Sequence, residues 1–586
     1  MATTTTTTTI TITITITLLL FCFITTTMSF PPSPPIQCNN TICLLSNAYG
    51  IFNTRNPCPV PSVLYPSSEQ DLLAAVAMAT KSNLKIKLVS SFSHTIPKFS
   101  CPNPTSNALL ISTSKYSTNI EINPSQRTVT ADAGVGLRAL IDRVEAAGMS
   151  LVAAPYWEGV SIGGLVSTGS HGSSWWGNGG AVHDHVVGMR LVVPAGRSEG
   201  YAKVVTVVAG DPLFDAARVS LGMIAAISKV TLSLEPRFKR SITFSFQNDS
   251  SFEDDFMDLA KKHEFADISW FPSQKQAIYR IDDRVPMSTP GEGVNDFIGF
   301  QSTATLTSTA VRASEKAAEK AKSVKGKCTL ASMELSAKKL VGFGLKNNNI
   351  LFTGYPVVGY QGKMQTSGSC LYSSSLDLLS SCAWDPRIKG LVFYETTAIF
   401  SPQKFRDFIQ DVKKLRDMNP DNFCGIDNYN GMLIRFVKRS TAYLGQPEDS
   451  VVVDFNYFRA DDAMTPRLSE DVWEEVEQMA FFKHGARPHW AKNRKVAFLG
   501  VQEKYPFMSS FIAARKKIDP LGVFYSPWSE EILMGHVTSK DDGCALEGQC
   551  VCSEDRHCSP SNGYFCKPGL VYQEARVCRY SSTAIE

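Results

Sequence analysis

Apolar and polar residues alternate in short runs through the first third of the chain. The run LKIKLVSS (84–91) has the period of two that is typical of a half-buried strand, and NALLIST (107–113) predicts another strand. NIEINPSQRTVTADAG (119–134) predicts two more strands, joined at an Asn-Pro-Ser turn. Because short helices separate strands of this kind, we predict an α+β domain over residues 58–235.

Two amphipathic helices are predicted in the same region. One begins in YPSSEQDLLAAVAMATKSN, where Ser67 and Gln70 have the spacing of a capping box. The other, LRALIDRVEAAG, ends on Gly148, as expected for a glycine that follows a helix. Further on, VHDHVVGMRLVVPAG predicts a strand with His183 and His185 on one face.

The rest of the chain divides into a large and a small part. Residues 240–535 are richer in aromatic residues and predict a second α+β domain. Residues 540–586, here called the tail module, are rich in cysteine and predict a separate small unit.

The first 30 residues contain no charged side chain and have an apolar centre from Leu18 to Ile24. This run is too short to span a bilayer but suits the apolar region of a secretory signal peptide, although the usual positive start is missing. A mitochondrial transit peptide would be rich in arginine, so we predict secretion, to the extracellular space or a vacuole, with no stable membrane insertion after cleavage.

Cysteine usage agrees with an oxidising compartment. Of the 15 cysteines, Cys22 lies in the predicted signal peptide, which leaves 14 in groups of four, four and six. The six in the tail module lack a paired CxxC zinc pattern, so three disulfides are expected there and no metal. The sequons at Asn39 and Asn248 also fit a secreted glycoprotein.

Charge excludes one class of partner. The net charge is only +3, and no basic stripe with interleaved aromatic residues is present. We therefore expect no nucleic-acid binding.

The glycine-rich segment SIGGLVSTGSHG (161–172) holds four glycines and four hydroxyl residues. Glycine lets a backbone approach a ligand closely, and successive amides with small hydroxyls can hold an anion. The segment therefore predicts a phosphate cradle, with a plain surface loop as the alternative. GVGLRA (134–139) matches a dinucleotide-binding motif, but no βαβ series continues from it, so that interpretation is rejected.

Several motifs occur together in a set order. KLVSSFSHTIP (87–97), ADAGVGLRALIDRVEAAGMSL, the glycine-rich segment and LGMIAAISKVTL resemble the FAD-binding domain of the vanillyl-alcohol-oxidase superfamily. RPHWAK (487–492) and KKIDPLGVF (516–524) resemble C-terminal signatures of its aldonolactone oxidase branch. The resemblance covers roughly residues 59–526.

The resemblance implies FAD as cofactor and a set of contact residues in three segments. These are Ser90, Ser91, Phe92, Ser93 and His94, then Ser161, Gly163, Gly164, Thr168, Gly169, Ser170 and His171, and finally the backbone of Ile227. Relatives read GGGHS in the first segment and bind flavin covalently through its histidine. Alignment on Val89 places Ser93 there and His94 one position later, so we expect non-covalent FAD.

The resemblance also implies catalytic residues. Relatives carry a Glu-x-Arg pair on a strand facing the flavin; here Arg435 is kept and Leu433 replaces the glutamate. Lys492, with His489 in the same HWAK motif, is expected to approach the flavin's N1–C2=O edge. Asp454 and Asn456 share a strand face and are a candidate replacement for the missing glutamate.

The expected reaction is oxidation of the C2 hydroxyl of an aldono-1,4-lactone, such as L-gulono-1,4-lactone, to give ascorbate. Oxygen or another acceptor would reoxidise the flavin. Two alternatives remain: an alditol or sugar oxidase or a lactone dehydrogenase that reacts poorly with oxygen, and a non-catalytic cell-wall protein that uses the tail module for adhesion. His183 and His185 lack a third ligand, so no metal site is expected.

Overall fold

A computed structural model describes residues 35–46, 58–92, 97–102, 107–296, 302–342, 356–366, 393–428, 431–535 and 541–582. The predicted signal peptide and two of the predicted flavin contacts, Ser93 and His94, lie outside these residues. Among the described helices, none is both long enough and apolar enough to cross a membrane.

Three small sheets and a five-stranded sheet build the first domain. Its strands are β1 Ile36–Cys38, β2 Cys43–Leu45, β3 Cys58–Val60, β4 Val63–Leu64, β5 Lys85–Val89, β6 Ala108–Ser112, β7 Ile120–Asn123, β8 Thr128–Asp132, β9 Met149–Ser150, β10 Val186–Pro194, β11 Ala202–Val208, β12 Ala226–Ser233 and β13 Glu235–Pro236. The helices are α1 Glu69–Lys81, α2 Pro97–Ser100, α3 Leu137–Ala146, α4 Ile162–Ser167 and α5 Pro212–Ala217.

The sheet orders separate two halves of this domain. Parallel strands form the sheet β4-β6-β5, and antiparallel strands form β11-β10-β12-β8-β7. The antiparallel pairing of β8 on both sides agrees with the rejection of a dinucleotide-binding βαβ unit. Gly134 serves packing instead, because a Cβ there would lie 2.3 Å from the carbonyl oxygens of Thr113 and Tyr116.

Two local predictions are corrected and one is confirmed. The N-cap of α1 is Ser68, whose hydroxyl accepts from the Asp71 amide, so the capping residue lies one position later than predicted. Gly148 follows α3 with φ +73°, as predicted. The prediction that β10 begins in VHDH is wrong, because Val182–His185 is a 3₁₀ turn and the strand begins at Val186.

An eight-stranded antiparallel sheet forms the centre of the second domain. The strands in this part of the chain are β14 Lys239–Asn248, β15 Asp267–Phe271, β16 Gln276–Val285, β17 Asn295–Asp296, β18 Val357–Tyr360, β19 Met364–Thr366, β20 Phe393–Phe400, β21 Met432–Val437, β22 Ser450–Phe458 and β23 Arg487–Pro488. The large sheet has the order β18-β14-β16-β15-β21-β22-β20-β23.

The described helices of this part of the chain include several that pack against one side of the sheet and bury its apolar residues. They are α6 Phe252–Lys262, α7 Ser302–Lys320, α8 Val324–Gly342, α9 Pro402–Met418, α10 Cys424–Asp427, α11 Glu470–Gln478, α12 Val501–Lys504, α13 Met508–Ile518 and α14 Pro527–Met534. Side chains of alternate residues, among them Phe455, Phe436 and Ile434, enter the core on that side.

The C-terminal part of the second domain pairs with a strand of the first domain. Phe524 forms a parallel bridge with Ile86 of β5, and the Ile86 amide donates to the Val523 carbonyl at 2.7 Å. The molecule is thus an α+β protein, as predicted, in which the two parts of the chain share a sheet edge.

Disulfides occur within each predicted cysteine group. The described pairs are Cys38–Cys43, Cys58–Cys101, Cys328–Cys424, Cys544–Cys550, Cys552–Cys566 and Cys558–Cys578. The last three confirm a three-disulfide tail module, which contains the hairpin β24 Tyr564–Pro568 and β25 Arg576–Tyr580.

The tail module is not detached from the rest of the molecule. The Glu475 carboxylate of α11 accepts from the amides of Leu570, Val571 and Tyr572, and Glu474 accepts from Cys578. Buried carboxylates that each accept backbone amides form strong contacts, so the module is anchored on the second domain.

Candidate active site

The three sequence segments predicted to bind flavin come together in the first domain. Gly136 forms an antiparallel bridge with Ser161, and the Phe92 ring lies 3.3 Å from where a Cβ of Gly136 would be. The Gly163 amide donates to the Ala133 carbonyl at 2.8 Å. Segments far apart in sequence therefore line one region, as the resemblance implies.

The two adjacent glycines of the glycine-rich segment have different surroundings. A Cβ on Gly163 would lie 2.9 Å from the Ala133 Cβ, so this glycine is required for close packing of α4. Around Gly164, only the Ser161 hydroxyl of the described residues comes within 4 Å of the Cβ position. Gly164 thus leaves an open surface that a ligand can approach.

The predicted cradle of successive free amides is not formed in this segment. Six of its residues form helix α4, which Ser161 caps through a 3.3 Å hydrogen bond to the Gly164 amide. The following amides donate to carbonyls of the segment itself, Thr168 to Gly164 at 3.2 Å and Ser170 to Leu165 at 3.0 Å. Open glycine surface and hydroxyls, rather than a row of amides, are what this segment offers to a cofactor.

The remaining predicted contacts are placed as follows. Ser90 accepts from the Phe92 amide at 3.2 Å, while Ser91 is exposed. Thr168 is buried, and its hydroxyl donates to the Gly164 carbonyl at 3.1 Å. Gly169 has φ +70°, Ser170 is half-buried, and Ile227 lies in β12 opposite Leu191.

His171 presents a buried acceptor at the junction of the two domains. Its Nδ1 lies 2.8 Å from the Gly172 carbonyl and must donate to it, which leaves Nε2 as an acceptor. This Nε2 is buried and has no partner among the described residues. Burial, aided by the Arg435 charge, lowers the pKa of His171 to about 3, so the ring is neutral.

Polar residues of three adjacent strands form what we call the site face of the large sheet. The antiparallel register pairs Leu433 with Asp454, Thr397 with Asp454, and Glu395 with Asn456. Because paired residues and residues two apart share a face, these side chains and Arg435 point to the same side. The site face consists of Glu395, Thr397, Leu433, Arg435, Asp454 and Asn456.

Arg435 joins the site face to the glycine-rich segment. Its Nη1 donates to the His171 carbonyl at 3.1 Å, and its Nη2 pairs with the Asp454 carboxylate. The guanidinium also lies 5.3 Å from the centroid of the Tyr156 ring. Its Nε is buried and without a partner among the described residues, so one strong donor remains available to a ligand.

Lys492 and His489 lie on the loop after β23 and approach the site face and His171. Lys492 pairs with Glu395, and its Nζ lies 3.9 Å from Asp454. The His489 ring lies 5.1 Å from that of His171, centroid to centroid, and accepts from the Ala491 amide through Nδ1. Burial and the neighbouring imidazole hold the pKa of His489 well below its ordinary value.

Asp454 is the carboxylate at the centre of the site face. Burial alone would raise its pKa, but the charges of Arg435 and Lys492 outweigh burial and hold the pKa well below the ordinary value. The Thr397 hydroxyl donates to the same carboxylate. Asp454 is therefore ionised, and both of its oxygens are engaged.

Sequence reasoning missed Glu395 and Thr397. They occupy alternate positions of FYETTAIF in β20. This pattern is also typical of any strand that has one solvent-exposed face. Their polar alternation was a signal, but their contact with Lys492 and Asp454 depends on strand order, which no local pattern carries.

The two histidines considered for a metal have different neighbours in the described part of the chain. His185 Nε2 lies 3.0 Å from the Gly179 carbonyl, and His183 is buried 3.5 Å from Asp184. The cysteines of the described clusters that come within metal-binding distance are all engaged in disulfides.

The described residues fit FAD. Gly164 offers an open surface in the first domain, and the buried acceptor of His171 and the free Nε of Arg435 lie where the two domains meet. Arg435 and Lys492 add two fixed cations, which suit an isoalloxazine that becomes anionic on reduction.

Three family profiles match parts of this chain. Profiles described as "FAD binding domain", "D-arabinono-1,4-lactone oxidase" and "L-gulonolactone oxidase 2-like, C-terminal domain" match residues 60–199, 403–532 and 541–580. A solvent-stable cholesterol oxidase matches with a TM-score of 0.63 at 16% identity, over 85% of this chain and 100% of its own. At that identity the structural match supports the fold alone.

Relatives found by sequence match nearly the whole chain at higher identity. L-gulonolactone oxidase 3 of Arabidopsis thaliana is 61% identical over 96% of both chains. L-gulonolactone oxidase 5 of the same plant is 43% identical over 95% of both chains, and the Bos taurus L-gulonolactone oxidase is 22% identical over 80% of this chain and 94% of its own. Together with the geometry of the site, these matches show that the chain belongs to the L-gulonolactone oxidase family and is an FAD-linked oxidoreductase.

Proposed function

We propose that this protein oxidises the C2 hydroxyl of an aldono-1,4-lactone, with L-gulono-1,4-lactone as the expected substrate. The 2-keto lactone formed in this way would rearrange to L-ascorbate. The observation that carries the proposal is the pair of cations, Arg435 and Lys492, set around Asp454 at the junction with the glycine-rich segment. The names of the relatives support the lactone as substrate class.

The chemistry divides between cofactor and protein. When bound, FAD would supply the two-electron acceptor for the hydride of C2, and the hydroxyl proton would pass to solvent. The free Nε of Arg435 is suited to hold the substrate oxygen. The buried, neutral rings of His171 and His489 add no further charge beside the two cations.

The test is bleaching of the purified yellow protein under anaerobic conditions. We expect L-gulono-1,4-lactone to bleach the flavin and alditols or hexoses to bleach it far more slowly. Leu433 at the position of the relatives' glutamate makes an alditol or sugar oxidase the second candidate. Faster bleaching by an alditol would favour that candidate, and no bleaching by any of these compounds would refute both.

We propose oxygen, or another acceptor, as the oxidant that restores the flavin. Peroxide release in air, compared with the reduction of a dye acceptor, separates an oxidase from a dehydrogenase. We also propose that FAD is held without a covalent bond, because Ser93 occupies the aligned histidine position. Acid precipitation tests this point, since flavin that stays in the pellet would make His94 the attachment site.

Secretion is the third part of the proposal. The six described disulfides support an oxidising compartment. Asn39 and Asn248, the two sequon residues, are both exposed. A mobility shift on glycosidase treatment of the protein from plant tissue is expected, and recovery of unglycosylated protein in mitochondria would refute secretion.

A further inference from the structure

The site face contains a carboxylate whose function the reaction does not yet explain. We infer that Glu395, together with Asn456, binds a hydroxyl of the sugar substrate and replaces the glutamate that relatives carry two residues before the arginine. This inference rests on the proposed function, since it concerns how the same site holds its substrate.

Asp454, the other carboxylate nearby, is not available for this task. One of its oxygens pairs with Arg435, and the other accepts from Thr397 and lies 3.9 Å from Lys492. A substrate hydroxyl would have to break one of these contacts in order to bind. Breaking a buried, charge-assisted contact is costly, so Asp454 serves to hold the two cations in place.

Glu395 has one engaged and one available oxygen. Its Oε1 pairs with Lys492, while Oε2 has no partner in the described part of the chain. The Glu395 side chain is 17% exposed, compared with 8% for Asp454, so it lies nearer to the open end of the site face. A carboxylate fixed by a lysine on one oxygen can accept a hydroxyl on the other.

Asn456 completes the arrangement from the neighbouring strand. It lies directly opposite Glu395 in the register of β20 and β22, so the two Cβ atoms are about 5 Å apart. The Asn456 Oδ1 is buried and has no partner among the described residues. A carboxylate oxygen of Glu395 beside the buried amide oxygen of Asn456 suits a ligand with adjacent hydroxyls, as a sugar lactone has.

Backbone contacts fix Glu395 in place. Its amide donates to the Asn493 side chain at 2.8 Å, and its carbonyl accepts from the Asn493 amide at 3.4 Å. Asn493 directly follows Lys492, so the ion pair is held on both sides by the same loop. These contacts hold the Glu395 carboxylate in one position, unlike that of a mobile surface residue.

The test compares Glu395→Gln with Glu531→Gln in the FAD-loaded protein. Glu531 is also paired with a lysine of the same loop, Lys495, but it lies on α14, away from the site face. We expect Glu395→Gln to raise KM at least tenfold while kcat changes less than threefold and flavin content stays the same. Glu531→Gln should leave KM within twofold.

A panel of monodeoxy L-gulono-1,4-lactones separates substrate contact from a structural effect. For the analogue that lacks the contacted hydroxyl, the wild type and Glu395→Gln should have the same KM. Equal penalties across the whole panel, or an unchanged KM with the natural lactone, would overturn the inference.

The substrate used for these assays is the compound that bleaches the wild type. If an alditol bleaches it and lactones do not, the proposed substrate is wrong, and the Glu395 inference is tested on the monodeoxy alditols. If no compound bleaches the wild type, the proposed function and this inference both fail.

Discussion

Substitution of Gly548 by alanine tests whether the tail module supports the active site. The loop from Cys544 to Cys550 contacts the segment that follows Lys492: the Val496 amide donates to the Gly548 carbonyl at 3.0 Å, and Arg494 donates to the Leu546 carbonyl at 3.4 Å. Tyr394, the residue before Glu395, donates to Glu547 at 2.6 Å. The module therefore contacts the residues on both sides of the Lys492–Glu395 pair.

The expected cost has two parts. Gly548 has φ +61°, a conformation that costs an alanine about 1 kcal/mol. Its Cβ would also lie 2.3 Å from Cζ of Arg494, and such overpacking costs about 1–3 kcal/mol.

Arg494 cannot move aside easily. It pairs with Glu477 at 2.8 Å and lies 4.1 Å from the centroid of the Trp473 ring. The two costs together should weaken docking of the loop from Cys544 to Cys550 by about 2–4 kcal/mol.

Hydrogen exchange measures this cost locally, because opening of the loop exposes its amides. At about 1.4 kcal/mol for each factor of ten, exchange of residues 494–496 and 544–550 should accelerate about 30- to 700-fold. Gly500→Ala is the control, since Gly500 has φ +68° but nothing within 4 Å of its Cβ position. Gly500→Ala should show only the cost of the positive φ, about 1 kcal/mol, and no cost of overpacking. Equal acceleration of exchange in both variants would refute the packing argument.

Three further predictions concern the site itself. Arg435→Met should slow flavin reduction by the lactone about 10²- to 10³-fold in stopped-flow bleaching, as expected for the loss of one preorganised donor, and unchanged bleaching would refute its role. Lys492→Met should make the flavin reduction potential more negative in a dye-equilibration titration, because a cation that favours the reduced anion is lost, and an unmoved potential would place Lys492 away from the flavin. Because the folded-state pKa of His171 is lowered to about 3, the unfolded chain binds the extra proton between about pH 6.5 and 3. Stability should therefore be complete above about pH 6.5 and fall by up to about 1.4 kcal/mol per pH unit below it. His171→Asn should reduce the loss of thermal stability between pH 7 and pH 5, and an unreduced loss would contradict the buried, neutral ring.

Local patterns predicted part of the secondary structure of the first domain. Alternation predicted β5, an apolar run predicted β6, and Gly148 marked the end of α3, whereas β11 and helix α4 were not predicted. The segments expected to contact flavin stand out in the sequence because each is a continuous motif and their order along the chain is distinctive. The predicted strand was wrong at Val182–His185, because a 3₁₀ turn precedes β10 there.

The sequence could not predict contacts that depend on neighbours distant in the chain. Gly163 and Gly164 are equivalent in a motif, yet only the approach of Ala133 makes the first a packing residue. Likewise, the anchoring of the tail module on Glu475 joins residues about 95 positions apart. Such contacts follow from tertiary packing, which period and propensity do not encode.

The composition of the site face explains why Leu433 and Asp454 occur together. These residues lie directly opposite each other on β21 and β22. A glutamate at 433 would place a second carboxylate beside one that already has both oxygens engaged, and like charges directly opposite are destabilising. Glu395 avoids this conflict because it lies opposite Asn456, not Asp454, on the other strand beside β22, and because it pairs with Lys492. The leucine is therefore the residue expected at 433 once Asp454 holds Arg435, and the second acid of the site is supplied from β20 instead.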